Sequence, residues 1–128
     1  MLVEISPGEL LDKISILELK MLKIEDKVKL KNIKKEFETL NPLVVKLFED
    51  NDGQLQNHYL ELANINGQLW DIEDWIRECE QRKDFGAEFI QLARSIYVTN
   101  DRRSQVKKII NTLTGSDLVE EKSYKNYE

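Results

Sequence analysis

The chain reads as an all-α antiparallel bundle of three long helices and one short helix, with a short extended lead-in and a polar C-terminal tail. Three stripes of apolar residues at alternating steps of three and four support this: Leu10, Ile14, Leu17, Met21, Ile24, Val28; then Leu55, His58, Leu62, Ile65, Leu69, Ile72, Ile76, Cys79; then Phe89, Leu92, Ile96, Thr99, Arg103, Val106, Ile110, Leu113. Such spacing holds one face of a helix apolar and points it at a partner helix. Composition agrees, because 34% charged and 41% apolar residues with five Gly and two Pro suit a helical bundle better than a sheet protein or a disordered chain. At 128 residues the whole chain, 1–128, is one domain, able to bury a core without disulfide or metal staples.

Taken in order, residues 1–5 form the lead-in. Ser6 then caps a helix, Pro7 suits its first position, and Glu9 stands three residues after the cap. Nothing strongly breaks the chain until Asn41-Pro42, so the first helix is expected over about 7–40, with a bend after Val28 where Lys31 and Lys35 occupy stripe positions. A short helix, 42–50, follows and ends at Asn51-Asp52-Gly53. The second long helix spans about 54–82. Lys83-Asp84-Phe85-Gly86 is a turn in which Asp84 can cap the third long helix, 86–114, which stops at Gly115. The tail, 116–128, carries Leu118, Val119, Tyr124 and Tyr127, and part of it is expected to dock on the bundle.

The net charge of −5 argues against general nucleic-acid affinity, yet the charge is uneven. Seven lysines, Lys20, Lys23, Lys27, Lys29, Lys31, Lys34 and Lys35, face only Glu25 and Asp26 between residues 20 and 35, a local +5 that leaves −10 elsewhere. Such a segment can bind phosphate or a membrane surface. A solvated face is the plainer reading, since neither Arg nor aromatic residues are interleaved. A lone Cys79 on an apolar stripe suits a reducing compartment, and no apolar run reaches the roughly 18 residues of a membrane span, so a cytoplasmic location with no membrane span is expected.

Catalytic templates are missing. One His, no Cys pair, no HExxH, no P-loop and no GxGxxG leave zinc chemistry, a Ser-His triad and nucleotide-binding loops without their residues. His58 reads as a core or interface histidine. Carboxylates that could hold magnesium are Glu9 and Asp12, one turn apart on the first helix, and Glu73, Asp74, Glu78 and Glu80 on the second. Glu73 and Asp74, however, are neighbours pointing about 100° apart, and no further E-x-x-E or E-x-x-D pairs with them. No catalytic residue, metal or cofactor is therefore expected, and the balance tips against an enzyme.

The informative constellation is polar. In an antiparallel hairpin of the second and third long helices, facing residue numbers total roughly 169, which sets Thr99 and Arg103 opposite Trp70 and Asn66. Asn66, Trp70, Glu73 and Arg77 lie within about 40° of one another on their helix. Three readings stand: a paired network, Arg103 or Arg94 with Glu73, that sets helix register; a pocket for a small anion built from Asn66, Trp70, Glu73, Arg77, Arg94, Asn100, Asp101 and Arg103; or a third helix broken at Thr99-Asn100-Asp101. Gly67 adds an expectation of close approach by a backbone or a ligand.

The motifs Glu73-Asp74-Trp75-Ile76-Arg77 and Asp84-Phe85-Gly86 through Phe89-Ile90-Gln91-Leu92-Ala93-Arg94-Ser95-Ile96-Tyr97 to Asn100-Asp101, then Gly115-Ser116 with Glu120-Glu121-Lys122-Ser123-Tyr124, and the opening Ser6-Pro7-Gly8-Glu9-Leu10-Leu11-Asp12, carry a resemblance. They are similar to an uncharacterised bacterial and phage family known only as a domain of unknown function. The resemblance spans most of the chain, is poorest over 25–60, and implies no established activity; some relatives are associated with surface-glycan biosynthesis.

The leading expectation is thus a non-enzymatic cytoplasmic interaction or accessory module that forms a homodimer and engages a protein partner. The alternative is a protein binding a small anionic metabolite, or a metal-dependent nucleotide or sugar-phosphate enzyme, at the mid-bundle polar layer.

Overall fold

The computed structural model describes residues 1–128 as four helices and no strands: α1 (Pro7–Lys23), α2 (Lys27–Asp50), α3 (Gln56–Gln81) and α4 (Ala87–Leu113). Residues 1–6 and 116–128 flank the bundle without regular structure. Ser6 caps α1 as its sequence requires, accepting the Glu9 amide at 3.2 Å.

The first helix does not run to residue 40. α1 ends at Lys23, Ile24 turns extended, and Asp26 starts α2 by accepting the Lys29 amide at 2.9 Å. An aspartate followed by helix-favouring residues is a sufficient start signal, and no Gly or Pro is needed. Val28, expected on the first stripe, consequently lies beyond the turn and is exposed. Conversely, Pro42 does not stop the chain; it lies inside α2, and no separate helix begins there. A mid-helix proline costs about 3 kcal/mol or more. Continuing the helix offsets that cost by burying Val44 and packing Leu47 and Phe48 on the core.

α1 is the hub and packs on α2, α3 and α4. Its Leu10, Leu11, Ile14 and Leu17 form the core with Ile33 and Val44 of α2, Leu55 and Leu62 and Ile65 around α3, and Val106 and Ile110 of α4. α1 is antiparallel to α2 and α4 and runs alongside α3, since Gly8 meets Asn111 while Asp12 and Ser15 meet Asn66. The α3–α4 hairpin has the register expected, with Gln68 accepting from Arg102 at 3.4 Å and Arg82 pairing with Glu88. α4 is unbroken, and Thr99 is buried within it. Asp84 accepts the Gly86 amide at 3.1 Å ahead of α4. No helix is long and apolar enough to cross a membrane.

Candidate functional site

Asp12 is the centre of the polar layer. It is 1% exposed, and a carboxylate so buried must be answered by hydrogen bonds and charge. Arg103 of α4 supplies both, donating Nε to Oδ1 at 2.9 Å and Nη2 to Oδ2 in a bidentate pair. Asn66 of α3 donates Nδ2 to the same Oδ1 at 2.9 Å and to Ser15 Oγ at 2.8 Å, while the Ser15 hydroxyl donates to the Asp12 carbonyl at 2.7 Å. Three helices are thereby keyed to one carboxylate.

Lys107, one turn beyond Arg103, extends the network outward. Its Nζ lies 2.7 Å from Glu9, 4.0 Å from Asp12 and 3.2 Å from Glu120 of the tail. Burial works against its charge, but the hydrogen bond to Glu9 and the nearby carboxylates hold its pKa above that of an ordinary lysine. The bond to Asp12 likewise raises Arg103, which stays charged. Glu120, hydrogen-bonded by Lys107 and then by Lys122, is held below the usual carboxylate range.

Six of the eight expected site residues border one groove, with different partners. Asn66 and Arg103 belong to the Asp12 network, so the partner of Arg103 is Asp12 on α1 and neither Glu73 nor any other residue of α3. Glu73 is engaged by Arg77 one turn away. With Trp70 and Asn100, these four line an open groove of about 460 Å³ between α1, α3 and α4. Arg94 is exposed and lines neither this groove nor the cleft described next, while Asp101 faces the tail, accepting from the Tyr127 hydroxyl at 2.8 Å. Gly67 is approached by nothing within 4 Å; the glycine under close approach is Gly8, whose amide donates to Asn111 Oδ1 at 2.7 Å. No three His, Cys, Asp or Glu side chains converge as a metal site, and Glu9 and Asp12 face Lys107 and Arg103 instead.

A second cavity lies on the other side of Arg103. The tail turns at Gly115 and runs back along α4, tied by Lys107–Glu120, Lys108–Glu121 and Tyr127–Asp101, with Tyr127 edge-on to Tyr97 at 5.5 Å. Between tail and helix is a cleft of about 560 Å³ lined by Ile96, Tyr97, Asn100, Asp101, Arg103, Ser104 and Lys107 from α4 and by Lys122, Tyr124, Lys125 and Tyr127 from the tail. Four cations meet one carboxylate there. That carboxylate is already occupied by Tyr127, and Lys122 stands 5.8 Å from the Tyr124 ring centroid. Lys125 is in no ion pair, and the Asn100 amide and Ser104 hydroxyl make no side-chain hydrogen bond.

Of this cleft, sequence reasoning placed only Asn100, Asp101 and Arg103. The usable signal was the spacing of Tyr97, Asp101, Ser104 and Lys107 at steps of three and four, a polar stripe beside the apolar one that needed a partner. A family model described as a family of unknown function (DUF6165) matches residues 1–127. No curated protein and no solved structure matches this chain.

Proposed function

We propose that this chain, which belongs to DUF6165, a family of unknown function, is a non-enzymatic binding module that takes a small anionic ligand in the cleft between α4 and the C-terminal tail. One observation carries the reading: a cavity of about 560 Å³ lined by three tyrosines holds Lys125, which has no carboxylate partner, beside Arg103, Lys107 and Lys122, which are paired with Asp12, Glu9 and Glu120. An anion entering it meets Lys125, the outer edge of Arg103, Asn100 and Ser104, while Tyr97 and Tyr124 offer flat apolar walls to a ring. The α1–α3–α4 groove is the weaker host, since its cations, Arg103 and Arg77, already serve Asp12 and Glu73, and it has no unpaired cation to match Lys125. The cytoplasm is its proposed place of action, supported by the free, buried Cys79.

A thermal-shift series over inorganic phosphate, sugar phosphates and nucleotides tests the reading. A ligand at about 100 times its Kd adds about 2.7 kcal/mol of stability, a shift of several degrees. At least one phosphate-bearing compound is expected to raise Tm, and Lys125→Gln or Tyr124→Ala is expected to reduce that rise while leaving the unliganded Tm in place. No shift with any compound, or an equal shift in both variants, contradicts the proposal.

A homodimer is a second reading, favoured by surface area. A compact monomer of 15.1 kDa exposes about 7,100 Å², whereas this chain exposes 9238 Å². Part of the excess is in the lead-in and tail, and exposed apolar residues on the helices, among them Leu60, Trp75 and Ile90, offer surface to a second copy. Light scattering on the eluting protein should give twice the chain mass; a single-chain mass overturns this reading.

A further inference from the structure

The binding cleft leaves unexplained the strongest charge asymmetry in the molecule, the +5 segment between residues 20 and 35. The fold gathers that segment at one place, because the break at Ile24–Asp26 folds α1 back into α2 and puts the lysines on either side of a single tip. α2 turns Ile33, Phe37, Leu40 and Val44 toward the core. At 100° per residue, Lys27, Lys31 and Lys35 then occupy its outward face together with Val28. The ion pairs of α2 are Lys13–Glu36 and Lys46–Asp50, so none of the seven lysines is held by a carboxylate. Of the two acids within the segment, Asp26 is occupied in capping the Lys29 amide, and Glu36 just beyond it is paired with Lys13.

Two apolar side chains share this tip. Leu22, at the end of α1, is 83% exposed, and Val28, at the start of α2, is 72% exposed. Lysines surrounding exposed aliphatic residues match a surface that is anionic at its headgroups and apolar just beneath them. They match nucleic acid poorly, because phosphate-backbone and base recognition draw on Arg and stacking aromatics, and the tip has neither. The −10 carried by the remainder of the chain repels the same surface, so electrostatics would also orient the molecule tip first.

We infer that the α1–α2 tip docks on the surface of an anionic phospholipid bilayer, with Lys27, Lys31 and Lys35 over the headgroups and Leu22 and Val28 inserted between them. The test is co-sedimentation of the full chain with phosphatidylcholine vesicles, with and without phosphatidylglycerol. Binding is expected only when the anionic lipid is present, and it should fall steeply as salt is raised. Each lysine near the surface contributes about fivefold in affinity, so the triple variant Lys27→Gln, Lys31→Gln, Lys35→Gln should bind on the order of 100-fold more weakly. Leu22→Ser with Val28→Ser should weaken binding several-fold at unchanged charge. All five positions are solvent-exposed, so an unchanged Tm confirms that the variants fold. Equal binding to neutral and anionic vesicles, no binding to either, or a triple variant that binds as well as the parent overturns the inference. So does tighter binding to a mixed-sequence oligonucleotide than to the anionic vesicles.

Discussion

At Gly8 the backbone of α1 lies so close to α4 that an added methyl group would sit 2.5 Å from the Lys107 carbonyl oxygen and 2.7 Å from Asn111 Oδ1. Two helices would have to part to admit it. Gly8→Ala is therefore expected to destabilise the fold by about 1–3 kcal/mol, the usual range for overpacking. Gly67→Ala has the opposite sign, about 0.5–1 kcal/mol of stabilisation, because nothing surrounds Gly67 and alanine is the better helix former. Chemical denaturation of the two variants checks both signs. Arg103 behaves differently again. Arg103→Met strands the buried Asp12 carboxylate, with an expected loss of about 3–5 kcal/mol. Asp12→Leu combined with Arg103→Met should recover much of that loss, because the uncompensated charge is gone. If the double variant is as unstable as the sum of its parts, Asp12 and Arg103 are not coupled as their geometry implies.

Among the elements, those with a local signal were legible in the sequence. Ser6, the three stripes, the turn around Asp84 and the stop at Gly115 all left their marks, and α3 and α4 fall close to where periodicity placed them. The break at Ile24–Asp26 was hidden because Asp26 caps without help from Gly or Pro. The continuity through Pro42 was hidden because it depends on tertiary burial of Val44, which no local pattern encodes. Arg103 was singled out as an interruption of a stripe, yet Asp12 was not named as its partner, since that pairing requires knowing that α1 lies across α4. The tail is the element whose attachment depends most on charge. Glu120 is held below its ordinary pKa of 4.5 by Lys107 and Lys122, so its contribution to docking is present above pH 4.5 and disappears as the pH falls through its lowered value. Tyr97 and Tyr127 fluorescence, or amide exchange over residues 116–128, should report the tail loosening in acid before the helices melt. Simultaneous loss of tail and helices contradicts an electrostatically held tail.

For the molecule as a whole, the polar interior and the cleft under the tail are distinct but share Arg103. Its guanidinium pairs with Asp12 and so joins α4 to α1, and the same residue lines both the inner groove and the cleft closed by the tail. The polar layer joins three helices, and the proposed ligand site lies where α4 meets a segment with no regular structure. Most of the eight residues singled out from sequence are brought together in space. Arg94 stands apart, Asp101 turns to the tail, and the remaining six border the inner groove.

The most direct measurement is a two-dimensional amide NMR titration of the full chain with the phosphate-bearing compound that raises its Tm most. Perturbations confined to Tyr97, Asn100, Ser104 and residues 122–127 are the predicted result. Perturbations centred instead on Leu69, Trp70, Glu73 and Arg77, or the absence of any localised set, would contradict a ligand site between α4 and the tail.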